Sequence, residues 1–191
     1  MASPEKARPN QKIETIFDRG ENFRVLDKPR AGTEWVFAGE GIATEKVDGT
    51  NIRLIVSSGK VAKVEKRRNP TREEKASGAE PRYIDAHRED PADKHIFKAV
   101  DNTDTHDWSD GAWSCEAIGP KIQGNPLGLD KPICYPFTLR PTILTDVPRT
   151  FAGLKTYFNN FESKYSPRHK GEGIVFHHSD SRMAKIKVRD F

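Results

Sequence analysis

Lys46 is the residue whose neighbours suggest chemistry: it lies in TEKVDGTN, residues 44–51, two positions before Asp48. A lysine amine becomes a useful nucleophile when desolvation or nearby positive charge lowers its pKa. A metal ion is one source of such charge, and carboxylates beside the lysine could hold the ion or its water shell. A nucleophilic Lys46 therefore predicts acidic partners, basic residues for a polyphosphate and an aromatic side chain for a base. A plain strand followed by a turn would give the same pattern.

Three carboxylates could accompany the lysine. If the strand continues, Asp48 shares a face with Lys46, and Gly49 then permits a tight turn or a close approach to a ligand. Glu116 stands in the otherwise apolar segment SCEAIG, where a buried charge needs a partner unless it faces solvent. Glu172 stands between two glycines in GEGIVFHH, directly before a β-like run, although Gly-Glu-Gly could also be an ordinary turn.

The end of the chain alternates between apolar and basic residues. In RMAKIKVRDF one face would carry Ala184, Ile186 and Val188, and the other Lys185, Lys187 and Arg189. An exposed strand would look the same. A strand lining a phosphate site would also look like this, because compact ammonium groups suit phosphate oxygens. Residues 60–75 add a stretch rich in Lys and Arg, which is either a solvated face or a second surface for an anion.

Composition bounds the class of protein. The chain has 191 residues, of which 35% are hydrophobic and 31% charged, with a net charge of +4. This predicts one soluble domain over residues 13–191, preceded by a flexible N-terminal arm over residues 1–12. No apolar run approaches the roughly 18 residues of a membrane helix, and the start lacks a secretory signal. Cys115 and Cys134 fit no zinc spacing, which favours reduced thiols in a cytoplasmic protein.

Local patterns predict a mixed α+β fold with mostly antiparallel strands. Strands are expected at residues 23–28, 34–39, 41–46, 51–56, 61–66, 112–119, 133–139, 173–178 and 182–188. Gly59 should turn the hairpin between two of them. A helix is expected over residues 90–100, with Asp90 as its cap and Pro91 in its first turn. Residues 69–90 should form an irregular surface loop.

A second helix is expected after Asp146. Its apolar residues follow the three-and-four spacing of a face that packs into a core: Phe151, Leu154, Tyr157, Phe158 and Phe161. His177 and His178 end a predicted strand, where a surface pair without a role is favoured over a phosphate contact.

Four segments together resemble the covalent nucleotidyltransferases, the superfamily of ATP-dependent DNA ligases, RNA ligases and mRNA capping enzymes. EKVDGTN resembles motif I (K-x-D-G), CEAIG the glutamate of motif III, GEGIV motif IV (E-G-x-V) and AKIKV motif V (K-x-K). They occur in the family's order across residues 44–189. DGTN is more similar to RNA ligases, because DNA ligases usually have arginine at the position of Asn51. KIQGNPLGL and GEGIVFHHSD resemble the small 5′-to-3′ RNA ligases, which include a eukaryotic stand-alone enzyme.

The resemblance implies a nucleotidyltransferase domain with mostly antiparallel sheets flanking an ATP pocket and no OB domain. It also implies a three-step reaction. Lys46 would attack the α-phosphate of ATP to form a lysyl-AMP, the AMP would pass to a 5′-phosphate RNA end, and a 3′-hydroxyl would displace it. ATP, Mg²⁺ or Mn²⁺, and RNA with 5′-phosphate and 3′-OH ends are the implied cofactors and partner, with a monomer as the default.

Motif matches also imply roles for single residues. Glu45 would help to hold the adenine through its backbone, beside Gly49, and Asn51 would contact a phosphate or the ribose. The three carboxylates would organise the metal, mainly through water, and orient ribose hydroxyls: Asp48, Glu116 and Glu172. The two lysines of motif V would bind the α-phosphate, with the first nearer the leaving pyrophosphate: Lys185 and Lys187.

Two further roles leave a choice between neighbours. The family has an arginine after motif I that contacts the ribose or the terminal RNA phosphate, and here Arg67 or Arg68 could serve. Because neighbours in a strand point opposite ways, one of the two is expected to do so. The family stacks adenine on an aromatic side chain past motif III. Tyr135 and Phe137 are the candidates, and Phe137 is preferred.

Two other functions compete with an RNA ligase. A DNA ligase or DNA-end adenylylase would share the motifs, but Asn51 and the lack of an OB domain after motif V count against it. A catalytically silent RNA-end-binding protein would keep the pocket. It would have no need of a lysine nucleophile among three carboxylates.

Overall fold

The structure is a computed structural model that describes residues 13–191, so the predicted arm at residues 1–12 lies outside the described residues. Its first strands are β1 (Glu14–Thr15), β2 (Phe17–Arg19), β3 (Val25–Pro29), β4 (Ile42–Lys46), β5 (Thr50–Ser57) and β6 (Lys60–Arg68). They are followed by β7 (Arg82–Asp85), β8 (Gly111–Ile118), β9 (Ile133–Pro136), β10 (Ile143–Leu144), β11 (Gly173–His177) and β12 (Met183–Lys187). The helices are α1 (Glu34–Phe37), α2 (Arg72–Ala76), α3 (Lys94–Asp101) and α4 (Phe151–Phe158), with a short 3-10 helix at Val188–Asp190.

These elements form two compact units. The terminal unit combines Ile13–Val47 with Thr142–Phe191, and the central unit covers Asp48–Pro141. The terminal unit holds a five-stranded sheet in the order β1-β12-β11-β4-β10 and the small β2-β3 pair. The central unit holds a five-stranded sheet in the order β7-β6-β5-β8-β9. All strand pairs are antiparallel except β1 with β12. The predicted α+β class with mostly antiparallel sheets is confirmed.

The core of the terminal unit lies on one face of its sheet. Alternate residues of the three inner strands are buried there, and Ile174, Phe176 and Ile186 are fully buried. They pack against α4, where Leu154 is also fully buried. Thr150 caps this helix by accepting a hydrogen bond from the Gly153 N–H. Phe161, predicted on the same helical face, lies beyond the end of α4 and still packs into this core.

The central unit builds its core between its sheet and α3. Ile52, Leu54 and Trp113 are fully buried on the side of the sheet that packs with Ile96 of the helix. The hairpin of β5 and β6 turns at Ser58 and Gly59, whose φ angles are +52° and +71°. Two consecutive left-handed residues match the twist of antiparallel strands, so the predicted turn is confirmed.

The strand predicted at residues 34–39 is wrong. Glu34–Phe37 forms the short helix α1, with Trp35 and Val36 buried in the terminal core. Aromatic and β-branched residues favour a strand, but packing overrides that preference here. The Thr33 hydroxyl lies within hydrogen-bond distance of the Ile16 and Arg30 carbonyls and fixes the point where the helix begins.

The loop predicted at residues 69–90 is also wrong in part. Thr71 and Glu74 form a capping box that starts α2, and this T-x-x-E spacing was a signal in the sequence. Farther on, β7 extends the central sheet by pairing with β6. The helix predicted over residues 90–100 begins at Lys94, because the Asp90 carboxylate caps a turn by accepting from the Ala92 N–H.

Three further observations concern the end of β9, the two cysteines and membrane-spanning helices. The strand predicted over residues 133–139 ends at Pro136, which has no N–H to extend the ladder. Cys115 and Cys134 are both buried, and neither forms a disulfide within residues 13–191. Within residues 13–191 no helix is long and apolar enough to cross a membrane.

Candidate active site

One face of the terminal sheet gathers the predicted lysines. Lys46 on β4 lies opposite Gly173 on β11, which in turn lies opposite Lys187 on β12. Lys185 lies opposite Val175 one row along. Because directly opposed residues share a face, the three lysines project from the side opposite the core. We call this side the lysine face; it comprises Thr44, Lys46, Gly173, Val175, His177, Lys185 and Lys187.

Glu172 links two of these lysines. Its carboxylate lies 2.6 Å from the Lys46 Nζ atom and 2.9 Å from the Lys187 Nζ atom, through different oxygens. The side chains are only 13–22% exposed, so solvent screens the pairs less than it would at the surface. An ammonium group has no free electron pair, so an attack by Lys46 on an electrophile would require that it leave Glu172 and lose a proton.

Gly173 sets the spacing of this cluster. A Cβ atom added there would lie 2.3 Å from the Ile186 carbonyl oxygen and 2.7 Å from the Lys187 Cα atom. Only glycine therefore allows β12 to approach β11 closely at this point. The Glu-Gly pair has a physical basis: the glutamate bridges two lysines, and the glycine lets the strand that carries one of them come near.

Glu45 points to the other side of β4 and is only 4% exposed. Its carboxylate accepts hydrogen bonds from the Ser163 hydroxyl and from the Tyr165 N–H at 2.9 Å. Ser163 also accepts from the Ser166 N–H at 2.8 Å. The side chain thus anchors the segment that leads from α4 to Glu172. Sequence patterns missed this contact because it joins residues more than a hundred positions apart.

The two histidines at the end of β11 are not isolated surface side chains. The His177 Nε2 atom lies 2.9 Å from the Thr44 hydroxyl on the lysine face, and burial lowers the His177 pKa. His178 lies 2.8 Å from both Glu40 and Asp180, and hydrogen bonds to these carboxylates raise its pKa. The pKa values of these adjacent histidines are therefore shifted in opposite directions. The predicted lack of a role for them stays a prediction.

The central sheet gathers a second set of predicted residues. Asn51 on β5 lies opposite Glu116 on β8, and Glu116 lies opposite Tyr135 on β9. Arg67 on β6 lies opposite Tyr83 on β7. Strand neighbours of Asn51, Glu116 and Tyr135 on the other face belong to the core of the unit. We call the side with these five residues the polar face of the central sheet.

Asp48 and Gly49 lie outside the strands. Because β4 ends at Lys46 and β5 begins at Thr50, the strand does not continue to Asp48, and the condition for a strand face shared with Lys46 is not met. A Cβ atom added at Gly49 would lie 2.2 Å from the Ala117 carbonyl oxygen. The glycine is thus required for a close approach to β8. That approach brings it beside Glu116, which is 8% exposed.

Strand register separates the two candidate arginines. Arg68 follows Arg67 and projects from the other side of β6, where its guanidinium lies 2.9 Å from Glu74. The Nε atom of Arg67 is buried and has no hydrogen-bond partner within residues 13–191. A buried donor without a partner is costly, so the site is suited to an acceptor supplied by a ligand.

The two candidate aromatic residues differ in exposure. Tyr135 is 5% exposed within β9, whereas Phe137 lies just past the strand and is half-buried. Their ring centroids are 6.4 Å apart. Phe137 keeps more free surface for a base, in line with the preference for it, and its stacking role stays a prediction.

A preformed metal centre is not part of this site. Within the part of the chain that the structure describes, no three His, Cys, Asp or Glu side chains are grouped so that they could hold a metal ion. Hard cations such as Mg²⁺ often keep several waters and bind through one or two carboxylates plus substrate phosphates. The residues fit that kind of binding, and the metal roles of Asp48, Glu116 and Glu172 stay predictions.

Comparison with known proteins identifies the fold. No family model and no curated protein sequence matches this chain. Among solved structures it is similar to Naegleria gruberi RNA ligase with pyrophosphate, with a TM-score of 0.53 and 16% identity over 97% of this chain and 59% of that one. Over the matched part, the chain has the fold of that RNA ligase. The fold class implied by the four motifs is therefore confirmed.

Other structures of the same ligase agree. A ligand-free variant has a TM-score of 0.52 and 16% identity over 98% of this chain and 60% of that one. A variant with ATP and manganese has a TM-score of 0.51 and 13% identity over 97% of this chain and 64% of that one. This chain thus spans about three fifths of the length of the solved ligase chains. At such low identity, the structural similarity establishes the fold alone. Any case for an activity must rest on the site residues.

Proposed function

We propose that this protein is an ATP-dependent RNA ligase that joins 5′-phosphate and 3′-hydroxyl ends through a covalent lysyl-AMP on Lys46. One observation carries the proposal: Lys46, Glu172 and Lys187 form a largely buried ion-paired cluster on the lysine face, with Lys185 one row away. A lysine held beside further lysines suits attack on a phosphate. A binding module has no need of a nucleophile there.

In the first step, the Lys46 nitrogen attacks the α-phosphorus of ATP. The N–P bond forms, the P–O bond to the β-phosphate breaks, and pyrophosphate leaves with the electron pair. The lysine gives up one proton before attack and a second as the N–P bond forms. Lys185 and Lys187 neutralise charge on the transferred phosphate, so the chain's contribution is positioning and electrostatic stabilisation.

The remaining pocket roles follow the same chemistry. A divalent cation, Mg²⁺ or Mn²⁺, supplies charge neutralisation when bound, and Asp48, Glu116 and Glu172 hold it mainly through water. Asn51 and Arg67 donate to oxygens of the nucleotide. Adenine stacks on Phe137 and is held through the backbone of Glu45 with Gly49 nearby: these residues complete the proposed ATP site.

In the later steps, the nitrogen of the lysyl-AMP takes up a proton, an oxygen of the RNA 5′-phosphate attacks the phosphorus, and the P–N bond breaks to release Lys46 as the amine. The 3′-hydroxyl then attacks the activated 5′-phosphorus and gives up its proton. AMP leaves with the electron pair, and the phosphodiester bond is complete. Both transfers reuse the charges that support the first step, because each expels an anionic or basic leaving group from phosphorus.

The decisive experiment is self-labelling with ATP labelled at the α-phosphate. Wild-type protein with Mg²⁺ should retain label on a denaturing gel and lose it when pyrophosphate is added. Lys46→Ala should not label. Lys155→Ala, which removes an exposed lysine of α4, is the matched control and should label like the wild type. Folded wild-type protein that does not label, and whose intact mass shows no AMP already attached, would exclude the ligase.

The substrate is tested next with labelled protein. Transfer of AMP to a 5′-phosphate RNA end, followed by joining to a 3′-hydroxyl end, is expected. Transfer only to DNA ends would instead identify a DNA ligase or DNA-end adenylylase.

A further inference from the structure

Tyr83 makes a contact that spans three strands of the central sheet. Its hydroxyl donates a hydrogen bond of 2.8 Å to the Asn51 side-chain oxygen. Tyr83 lies on β7 and Asn51 on β5, so the tyrosine side chain crosses β6, the strand between them. Arg67 is the residue of β6 directly opposite Tyr83. The three side chains therefore occupy one short segment of the polar face.

This hydrogen bond determines what Asn51 can offer to a ligand. An asparagine side chain has one acceptor oxygen and an NH₂ group with two donors. Tyr83 occupies the oxygen, and the Asn51 side-chain nitrogen makes no hydrogen bond within residues 13–191. The amide is thus oriented to donate. Without Tyr83 it could turn over and present its oxygen instead.

Arg53 holds the tyrosine ring in place. Its guanidinium carbon lies 4.4 Å from the centroid of the Tyr83 ring, in a cation–π contact. The Arg53 guanidinium is also ion-paired with Glu65, which is 7% exposed. Glu65 additionally lies 3.1 Å from the Lys63 ammonium. A chain of contacts thus runs from a buried carboxylate to the Asn51 amide.

Arg67 adds a second donor at the same place. Its buried Nε atom has no partner in the described part of the chain. The residue before it, Lys66, lies opposite Ile52, so Arg67 is the neighbour of Asn51 across the two strands. A guanidinium and an amide that both donate suit an oxygen carrying negative charge, and phosphate fits better than a neutral hydroxyl.

We propose that Tyr83 is a positioning residue: its hydroxyl orients the Asn51 amide so that Asn51 and Arg67 donate together to a phosphate oxygen of ATP. The inference rests on the proposed function and deepens it, because it names the residue that sets the direction of a phosphate contact. Tyr83 itself touches no ligand in this scheme, and its effect passes through Asn51.

The affinity for α,β-methylene-ATP with Mg²⁺, measured by calorimetry, tests the inference without requiring catalysis, because this analogue cannot release pyrophosphate. Tyr83→Phe should weaken binding about three- to tenfold, the range expected for one hydrogen bond. Asn51→Ala should weaken it about ten- to a hundredfold, as for a bond to a charged group. The double variant should bind like Asn51→Ala alone, because Tyr83 acts through Asn51. Tyr157→Phe, which removes a hydroxyl from the terminal unit, should bind like the wild type.

Several outcomes would overturn the inference. They are wild-type affinity in Tyr83→Phe, fully multiplicative effects in the double variant, or no binding of the analogue by the wild type. Equal weakening of adenosine binding would assign the contact to ribose and would also overturn it. Melting temperatures must stay close to that of the wild type, or Tyr83→Phe is replaced by Tyr83→Met, which removes the hydroxyl and keeps a long apolar side chain. Self-labelling tests the ligase separately. Self-labelling without energetic coupling between Tyr83 and Asn51 in analogue binding rejects this inference alone. Such coupling without self-labelling rejects the ligase alone.

Discussion

Glu172 lies between two lysines, with one carboxylate oxygen 2.6 Å from Lys46 Nζ and the other 2.9 Å from Lys187 Nζ. The proposed nucleophile and a proposed phosphate-binding lysine are thus held by the same carboxylate. Any change of charge at Glu172 must affect both. In the proposed reaction, an arriving nucleotide phosphate would compete with this carboxylate for the two ammonium groups, which would link substrate binding to the release of Lys46.

Glu172→Gln should reduce self-labelling with ATP at least tenfold. The amide keeps the shape of the side chain but leaves two like charges close together, which costs more in a partly buried site than at the surface. The measurement is the initial rate of label incorporation. Glu162→Gln, an exposed change in the segment before Glu172, is the control and should keep the wild-type rate. An unchanged rate in Glu172→Gln would show that the bridge has no part in the reaction.

Arg67→Ala and Arg68→Ala should have different effects, although the residues are adjacent. Arg67→Ala removes the buried, unpartnered donor and should weaken binding of α,β-methylene-ATP about tenfold or more. Arg68→Ala removes a part-exposed ion pair with Glu74 and should change the unfolding free energy by less than about 1 kcal/mol. Calorimetry and urea unfolding measure the two effects. Weaker nucleotide binding in Arg68→Ala alone would reverse the assignment.

Glu45→Gln should destabilise the protein by about 1–3 kcal/mol, because an amide cannot accept from both Ser163 and the Tyr165 N–H as a carboxylate does. Urea unfolding measures the loss. Glu21→Gln, which changes an exposed glutamate in the same unit, should cost less than about 0.5 kcal/mol. If Glu45→Gln is as stable as the wild type, the carboxylate does not anchor the segment before Glu172.

His177 and His178 should titrate on opposite sides of the ordinary histidine pKa of about 6.5. Burial lowers the pKa of His177, whereas hydrogen bonds to Glu40 and then Asp180 raise that of His178. An NMR titration of the two imidazoles measures this order directly. A His177 pKa at or above that of His178 would contradict the geometry.

The same shifts predict two opposite trends in stability. As the pH falls below about 6.5, the unfolded chain binds a proton at His177 that the folded protein resists, so this stabilisation is lost toward the lower, folded pKa. His178 contributes stability that is complete below about 6.5 and is lost as the pH rises through its raised folded pKa. The unfolding free energy of His177→Gln, measured with urea, should therefore fall less than that of the wild type on acidification. The unfolding free energy of His178→Gln should fall less than that of the wild type on alkalinisation.

Local pattern predicted much of the fold. The hairpin at Gly59, the helix α4 and the strands β11 and β12 all have strong short-range signals, and each is present. The strand predicted at Trp35 failed because burial of two side chains outweighed β propensity. Strand alternation also showed that Arg67 and Arg68 point opposite ways. Deciding between them required the register of β6 with its neighbours, which is a long-range property.

The rest of the candidate site depended on contacts that no short pattern encodes. Tyr83 lay in a segment predicted as loop, and its bond to Asn51 joins residues 32 positions apart. Glu45 was predicted to contact adenine through its backbone, which stays a prediction, and no pattern indicated that its side chain reaches Ser163. Motif spacing can point to residues that react. It cannot locate those that hold them in position, since their partners lie elsewhere in the chain.

Gly173 determines how closely β12 approaches β11 at the lysine face. A single added methyl group would collide with the backbone of β12 and push that strand outward. Lys185 and Lys187 would move with it, although neither had been altered. One carbon added at one glycine is thus a way to change the distance between Lys46 and the two lysines of β12 without replacing any charged residue.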